Sequence, residues 1–146
     1  MGEVLVKIEK KSARGVVPRY ESTGAGGFDF HAAINRSVVI WPKGWKVIPF
    51  GIAMEIPIGY QLTIRSRSGP AFKRHVTAYH GLIDSDYRGE LSVLLHNAGW
   101  RPYVIKPGQR VAQGVLSTYE TAKFIVVDKL SQTTRGAGGF GSTGLS

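Results

Sequence analysis

The chain has 146 residues, 42% hydrophobic and 20% charged, with 19 Gly and 7 Pro, a composition that fits one soluble, turn-rich domain and is too short for two ordinary cores. Cys is absent, which excludes disulfides and thiolate metal sites, and no apolar run approaches the ~18–20 residues that span a bilayer. With 19 Lys and Arg against 10 Asp and Glu, the formal charge is +9, a field that favours polyanions without choosing among nucleotides, nucleic acid and anionic lipid.

The N-terminus shows no signal-peptide core. Met1-Gly2 is followed by Val6 where a myristoylation motif needs Ser or Thr, so the expected compartment is the cytoplasm and no membrane partner is expected. Along the chain, apolar residues alternate with others at Val4/Val6/Ile8, Phe28/Phe30/Ala32, Tyr60/Leu62/Ile64 and Phe124/Val126, the period of half-buried strands. Turn chemistry separates such runs at Pro42-Lys43-Gly44, Pro57-Ile58-Gly59, Asn97-Ala98-Gly99 and Pro107-Gly108, at intervals suited to an all-β sandwich or barrel. One helix is predicted, opened by Ser68 as N-cap and running through Pro70-Ala71-Phe72-Lys73-Arg74, about two turns at most. From Arg135 onward the chain is glycine-dense, which on composition alone reads as a disordered tail.

Three segments carry candidate chemistry. Gly81 through Glu90 reads as a β-hairpin with carboxylates at its tip and Leu91 to Leu95 leading out. Its Asp84-Ser85-Asp86 resembles the start of a calcium loop, but Arg88 takes the fifth ligand place and Leu95 the twelfth, where a bidentate Glu is needed, so calcium is excluded there. A turn carboxylate can serve as a general base, though a solvated turn Asp is commoner. Arg65-Ser66-Arg67-Ser68-Gly69 offers guanidiniums, hydroxyls and amides to phosphate, or is an ordinary basic turn. The tail offers glycine amides, the Arg135 cation and the Phe140 ring, and it is not a Walker A loop. His31, His75, His80 and His96 have no metal-ligand spacing and are given no role.

In order, Gly24-Ala25-Gly26-Gly27-Phe28-Asp29-Phe30, Arg67-Ser68-Gly69, Gly81 to Glu90, Gly108-Gln109-Arg110-Val111-Ala112-Gln113 and Arg135 to Gly144 resemble the five motifs of the trimeric dUTPase family. The resemblance implies a distorted jelly-roll-like β-barrel with one short helix over residues 1–133, and a flexible Gly-rich arm over 134–146 that closes over the active site. It implies a homotrimer with shared sites, hydrolysing dUTP to dUMP and pyrophosphate with Mg²⁺. This would clear dUTP from the nucleotide pool and supply dUMP for thymidylate synthesis.

Carried over residue by residue, Asp84 orients and deprotonates the water that attacks the α-phosphorus, with Gln113 near that water and Arg135 closing on the phosphates. Arg67, Ser68, Gly69, Gly141, Ser142 and Thr143 are expected on substrate, and Tyr87 under the deoxyribose. Gly81 and Ser92, with the backbone from Tyr79, would read uracil, and Phe140 would stack on it. Asp29 would meet Mg²⁺ through water, the ion being held mainly by substrate phosphates. Departures from the family pattern are Ser66 for a common Pro, Pro70 for Leu and Gln109 for an acid.

Three other readings compete: a dCTP deaminase of the same superfamily, marked by ammonia release; a basic nucleic-acid-binding module, marked by salt-sensitive affinity; and a regulatory protein that uses nucleotide as a switch. The surplus charge, with Lys7, Lys10, Lys11 and Arg14 near the N-terminus, leaves a nucleic-acid or regulatory-protein partner open beside the enzyme reading.

Overall fold

The computed structural model describes residues 2–141, 143 and 144. Among them, the strands are β1 (Lys7–Lys10), β2 (Phe28–His31), β3 (Val38–Ile40), β4 (Trp45–Pro49), β5 (Ile52–Glu55), β6 (Tyr60–Arg65), β7 (Val76–Ala78), β8 (Gly81–Ile83), β9 (Ser92–Asn97), β10 (Tyr103–Ile105) and β11 (Arg110–Thr118), with one helix, α1 (Ser68–Arg74). The all-β expectation with a single short helix holds. The strands fall into four antiparallel sheets, β1-β5, β10-β3, β2-β11-β6-β8 and β4-β9-β7, so the hydrogen-bonded ladder is divided between small sheets rather than continuous around a barrel.

The period-2 pattern of β2 sets the layout. Phe30 is buried and stacks on Phe50 at 4.3 Å with 4° between planes, while Phe28 meets Phe30 edge-on at 5.4 Å, arrangements favoured by aromatic quadrupoles. Asp29 and His31, one residue out of phase, therefore face the other side of the sheet. On β11 the same alternation puts Gly114 inward. A Cβ there would come within 2.6 Å of Phe28, 2.8 Å of Phe30 and 2.9 Å of Leu62, too close for any side chain. Gly114→Ala is expected to cost about 1–3 kcal/mol by overpacking, read as a lower midpoint in urea unfolding.

Asn97 is the buried polar side chain of the core, and it is fully used. Its Nδ2 donates to the Ile40 carbonyl at 2.9 Å and the Arg101 carbonyl at 2.8 Å, and its Oδ1 accepts the Gly99 N–H at 3.0 Å. One side chain thus joins the end of β3 to the loop after β9.

Three sequence expectations are corrected. The strand expected at Phe124/Val126 is absent, and Phe124, Ile125, Val126 and Leu130 stand exposed, because an apolar alternation with no sheet edge to join has no ladder to form. The hairpin partner of β9 is β7, not β8. Val76 to Ala78 pair with Asn97 to Leu95, after which the chain changes sheets so that Gly81 to Ile83 pair with Ile64 to Leu62 of β6. The N-cap is Arg67, extended and with no side-chain cap bond; Ser68 is the first helical residue. The helix closes on His75 in the left-handed region at φ 55°, its N–H turned back to the Pro70 and Ala71 carbonyls.

Candidate active site

The expected site residues fall into three groups. The first lies across the outer face of the four-stranded sheet, where Asp29, Gln113 and Arg65 are directly opposed on β2, β11 and β6, and opposed residues share a face. The Asp29 carboxylate, 13% exposed, receives Arg67 Nε on one oxygen and Arg110 NH1 on the other, both at 3.1 Å. Each oxygen of this nearly buried carboxylate thus has its own guanidinium donor, which offsets the cost of its burial. Gln113 Nε2 donates to the Ser66 carbonyl at 2.8 Å, while the Ser66 hydroxyl accepts the Ala78 N–H at 2.8 Å. The loop that carries Arg67, Ser68 and Gly69 is thereby fastened to both β11 and β7.

Arg67 commits its Nε–H to Asp29, and its NH1 lies 3.5 Å from the Arg110 carbonyl. A guanidinium has five donors, so most of this fork remains open to an anion. Ser68 and Gly69 follow at the exposed start of α1.

Two members of this group take roles that the sequence did not assign to them. Arg110 lies within the fourth motif, but nothing in its spacing says that it reaches Asp29 across a β-bulge between Arg110 and Ala112. Ser66 stands at a departure from the family pattern, and both its hydroxyl and its carbonyl hold the site. Gln109, another departure, accepts the Lys106 N–H at 3.0 Å and donates to Tyr103 at 3.1 Å, closing the turn before β11 with a neutral side chain. His31 neighbours Asp29 on the same strand; burial is the main cause that holds its pKa below the usual histidine value, opposed by the Asp29 charge, and its Nδ1 is buried without a partner.

The second group is built on the loop after β8. Asp84 is exposed, and its carbonyl accepts the Tyr87 N–H at 3.2 Å, closing a turn. Arg88 folds onto the Ser85 and Tyr87 carbonyls at 2.6 and 3.1 Å. Tyr87 is 45% exposed, so it is not a core aromatic; its hydroxyl donates to the Glu90 carbonyl at 3.3 Å, and its ring lies over Gly89 where a Cβ would overlap it. Gly81 opens β8 opposite Ile64, and Ser92 is exposed at the start of β9 opposite Pro49. The Tyr79 N–H is already given to the Leu94 carbonyl at 2.8 Å, so this amide is withdrawn from the set expected to read a base.

Register separates the two groups. Ile83 pairs with Leu62, which sets Asp84 at the level of Gln61, whereas Gln113 pairs with Arg65. Four residues of strand at ~3.3 Å each put roughly 13 Å between those levels. Asp84 instead lines a cleft of about 590 Å³ with Ile58, Gln61, Asp86, Tyr119 and Glu120. Its three carboxylates and lack of a lysine or arginine make this cleft repellent to phosphate on its own. An apolar hollow of about 320 Å³ between Val4, Val6, Phe28, Met54 and Leu116 lies apart from this chemistry.

The third group is the arm. Arg135 Nε donates to its own Gly138 carbonyl at 2.8 Å, and the other hydrogen bonds of this segment are equally local among the described residues. Phe140 is exposed at φ 50° and Gly141 follows at φ 86°; Thr143 is exposed, and Ser142 lies outside the described residues. No group of three His, Cys, Asp or Glu that could hold a metal ion is found among the described residues.

The dUTPase family model matches residues 13–144. A deoxyuridine 5'-triphosphate nucleotidohydrolase of Nautilia profundicola is 46% identical over 141 residues, 95% of this chain and 98% of that protein. One of Helicobacter pylori is 40% identical over 143 residues, 97% of each. Among solved structures, the Staphylococcus bacteriophage 80alpha dUTPase with dUPNHPP superposes with a TM-score of 0.89 at 27% identity, over 97% of this chain and 99% of that one. A dUTPase from a phage of S. aureus, described with a structural Mg(II) ion, shares the fold with a TM-score of 0.80 at 24% identity, over 86% of this chain and 97% of that one. This chain belongs to the dUTPase family.

Proposed function

We infer that this protein is a dUTP diphosphatase that cleaves dUTP to dUMP and pyrophosphate, in the cytoplasm, as a homotrimer whose active sites draw on more than one copy. The observation that carries the shared-site reading is the register: in one chain the candidate base Asp84 sits in an acidic cleft, roughly 13 Å of strand from the level of Gln113 and the arginine-rich group. A triphosphate needs both environments at once. Cyclic assembly brings the Asp84 cleft of one copy against the Arg67 group of a second, and the exposed run from Phe124 to Val127 supplies apolar surface for such an interface.

In the assembled site, Arg67, Ser68, Gly69 and the arm's Arg135, Ser142 and Thr143 hold phosphate oxygens by charge-assisted hydrogen bonds. Asp84 takes a proton from a water aligned with the α-phosphorus, with Gln113 orienting that water. A bond forms between the water oxygen and the α-phosphorus as the bond to the bridging oxygen breaks, and pyrophosphate leaves with its electron pair. Gly81 and Ser92 present strand backbone to uracil, Phe140 with Gly141 covers the base, and Tyr87 lies against the deoxyribose where a 2′-hydroxyl would collide. Mg²⁺, when bound, neutralises charge on the phosphates. The donor set fits an ion carried by substrate: both Asp29 oxygens already face arginines, leaving that carboxylate lone pairs for metal-bound water rather than for the ion.

The test is pyrophosphate release from dUTP, dCTP, dTTP and UTP with Mg²⁺. Release from dUTP alone is expected, and ammonia from dCTP or no release at all would overturn the assignment. Gly89 gives a finer check. Because a Cβ at Gly89 overlaps the Tyr87 ring, Gly89→Ala must displace that ring, and the ratio of kcat/KM for dUTP over UTP is expected to fall about tenfold or more. An unchanged ratio would remove Tyr87 from sugar discrimination.

A further inference from the structure

The proposed site uses only a small part of the 19 basic side chains, and one end of the molecule gathers several of the rest beside exposed tryptophans. Its frame is rigid. Asn97 clamps the Ile40 and Arg101 carbonyls and the Gly99 N–H, while the Lys43 N–H donates to the Asn97 carbonyl and the Ala98 N–H to the His75 carbonyl. The turn from Trp41 to Gly44, the end of α1 and the loop after β9 are thus tied together.

On this frame Trp100 is 84% exposed and Trp41 65%. Lys43 Nζ sits 4.8 Å from the centre of the Trp100 ring, covering one face and leaving the other to solvent. Lys73, Arg74, His75, Gly99, Trp100 and Arg101 line a cleft of about 210 Å³ beside it. The residues of this end, from Trp41 to Gly44, Lys73 to His75 and Asn97 to Arg101, all come from stretches that contain no carboxylate. Accordingly Lys43, Lys73, Arg74 and Arg101 form no salt bridge among the described residues, in contrast to Lys7, Lys11, Arg67 and Arg110.

Unpaired cations alone attract any polyanion. The tryptophans narrow the choice, since a flat apolar ring held out beside cations matches a ligand that alternates phosphates with stackable bases. A duplex keeps its base faces covered, and lipid headgroups present no flat face. The cleft is smaller than the ~300–1,000 Å³ typical of small-molecule sites, so a bound nucleotide unit continues outward over the surface toward Trp41. We propose that this face binds single-stranded nucleic acid, with backbone phosphates on Lys43, Lys73, Arg74 and Arg101 and a base stacked on the free face of Trp100.

The test is fluorescence anisotropy of labelled oligothymidylate about 15 nucleotides long, within the site sizes of single-strand binders, titrated with the full-length protein at several salt concentrations. Trp100→Ala is expected to weaken binding about tenfold or more, as removal of a base stack does. In Lys73→Gln/Arg101→Gln the slope of log affinity against log salt should shrink by about 1.4, or ~0.7 for each phosphate no longer neutralised. Both variants should hydrolyse dUTP at the wild-type rate, which reports an intact fold, and saturating dUPNHPP should leave the oligonucleotide bound. The proposal is overturned if the wild type does not bind, if Trp100→Ala binds like wild type, if dUPNHPP displaces the oligonucleotide, or if duplex DNA or anionic vesicles compete as well as the single strand.

Discussion

Asp84→Asn is expected to lower kcat for dUTP by about 10²–10⁴, the usual contribution of a positioned general base, while the Kd for dUPNHPP stays within a few-fold of wild type. The side chain is exposed, and the turn it begins is closed by its backbone carbonyl rather than its carboxylate, so the substitution removes a proton acceptor and leaves the loop in place. Single-turnover kinetics alongside calorimetric titration of the analogue would separate the two effects. A weakening of binding as large as the fall in rate would assign Asp84 to substrate recognition instead.

Removal of the arm is expected to have the second large effect. Truncation after Thr133, or Arg135→Ala within the intact chain, should reduce kcat/KM by about 10³ or more if Arg135 stabilises transferring charge as closing arginines do in other phosphoryl-transfer systems. Thermal unfolding should hardly change. The described residues of the arm bond only within their own turns, and Phe140 is exposed, so the packing of the core does not depend on them. A truncated protein that retains activity would sink the lid role, and one that unfolds would show that the arm contributes to stability.

The sequence made some levels of this architecture legible and hid others. β2 and β6 announce themselves because Phe28/Phe30 and Leu62/Ile64 alternate with residues that face outward, and the Pro and Gly turns lie where the chain reverses. β3 to β5 do not: residues 38–40 and 45–56 are nearly continuous apolar runs, in which apolar side chains such as Trp45 and Val47 also fill exposed positions, so no inside-outside period can be read. The alternation at Phe124/Val126 misled for the opposite reason, a strand-like pattern without a neighbour in the same chain. The candidate residues could be read in order along the chain, but not how the fold groups them. That Arg110 reaches Asp29 depends on a bulge, and that Asp84 lies away from Gln113 depends on β8 pairing with β6 rather than with β9. Both are facts of register, which a single sequence does not specify.

Subunit mixing separates sites shared between copies from sites built within one chain. Asp84→Asn and Arg67→Gln proteins, each expected to have little activity alone, would be unfolded, combined in equal amounts and refolded together. If each site takes Asp84 from one copy and Arg67 from another, each group is intact half the time, and about a quarter of wild-type activity returns. If both groups act within one chain, no mixture contains an intact site, and the absence of recovered activity in refolded mixed trimers would contradict the shared-site account.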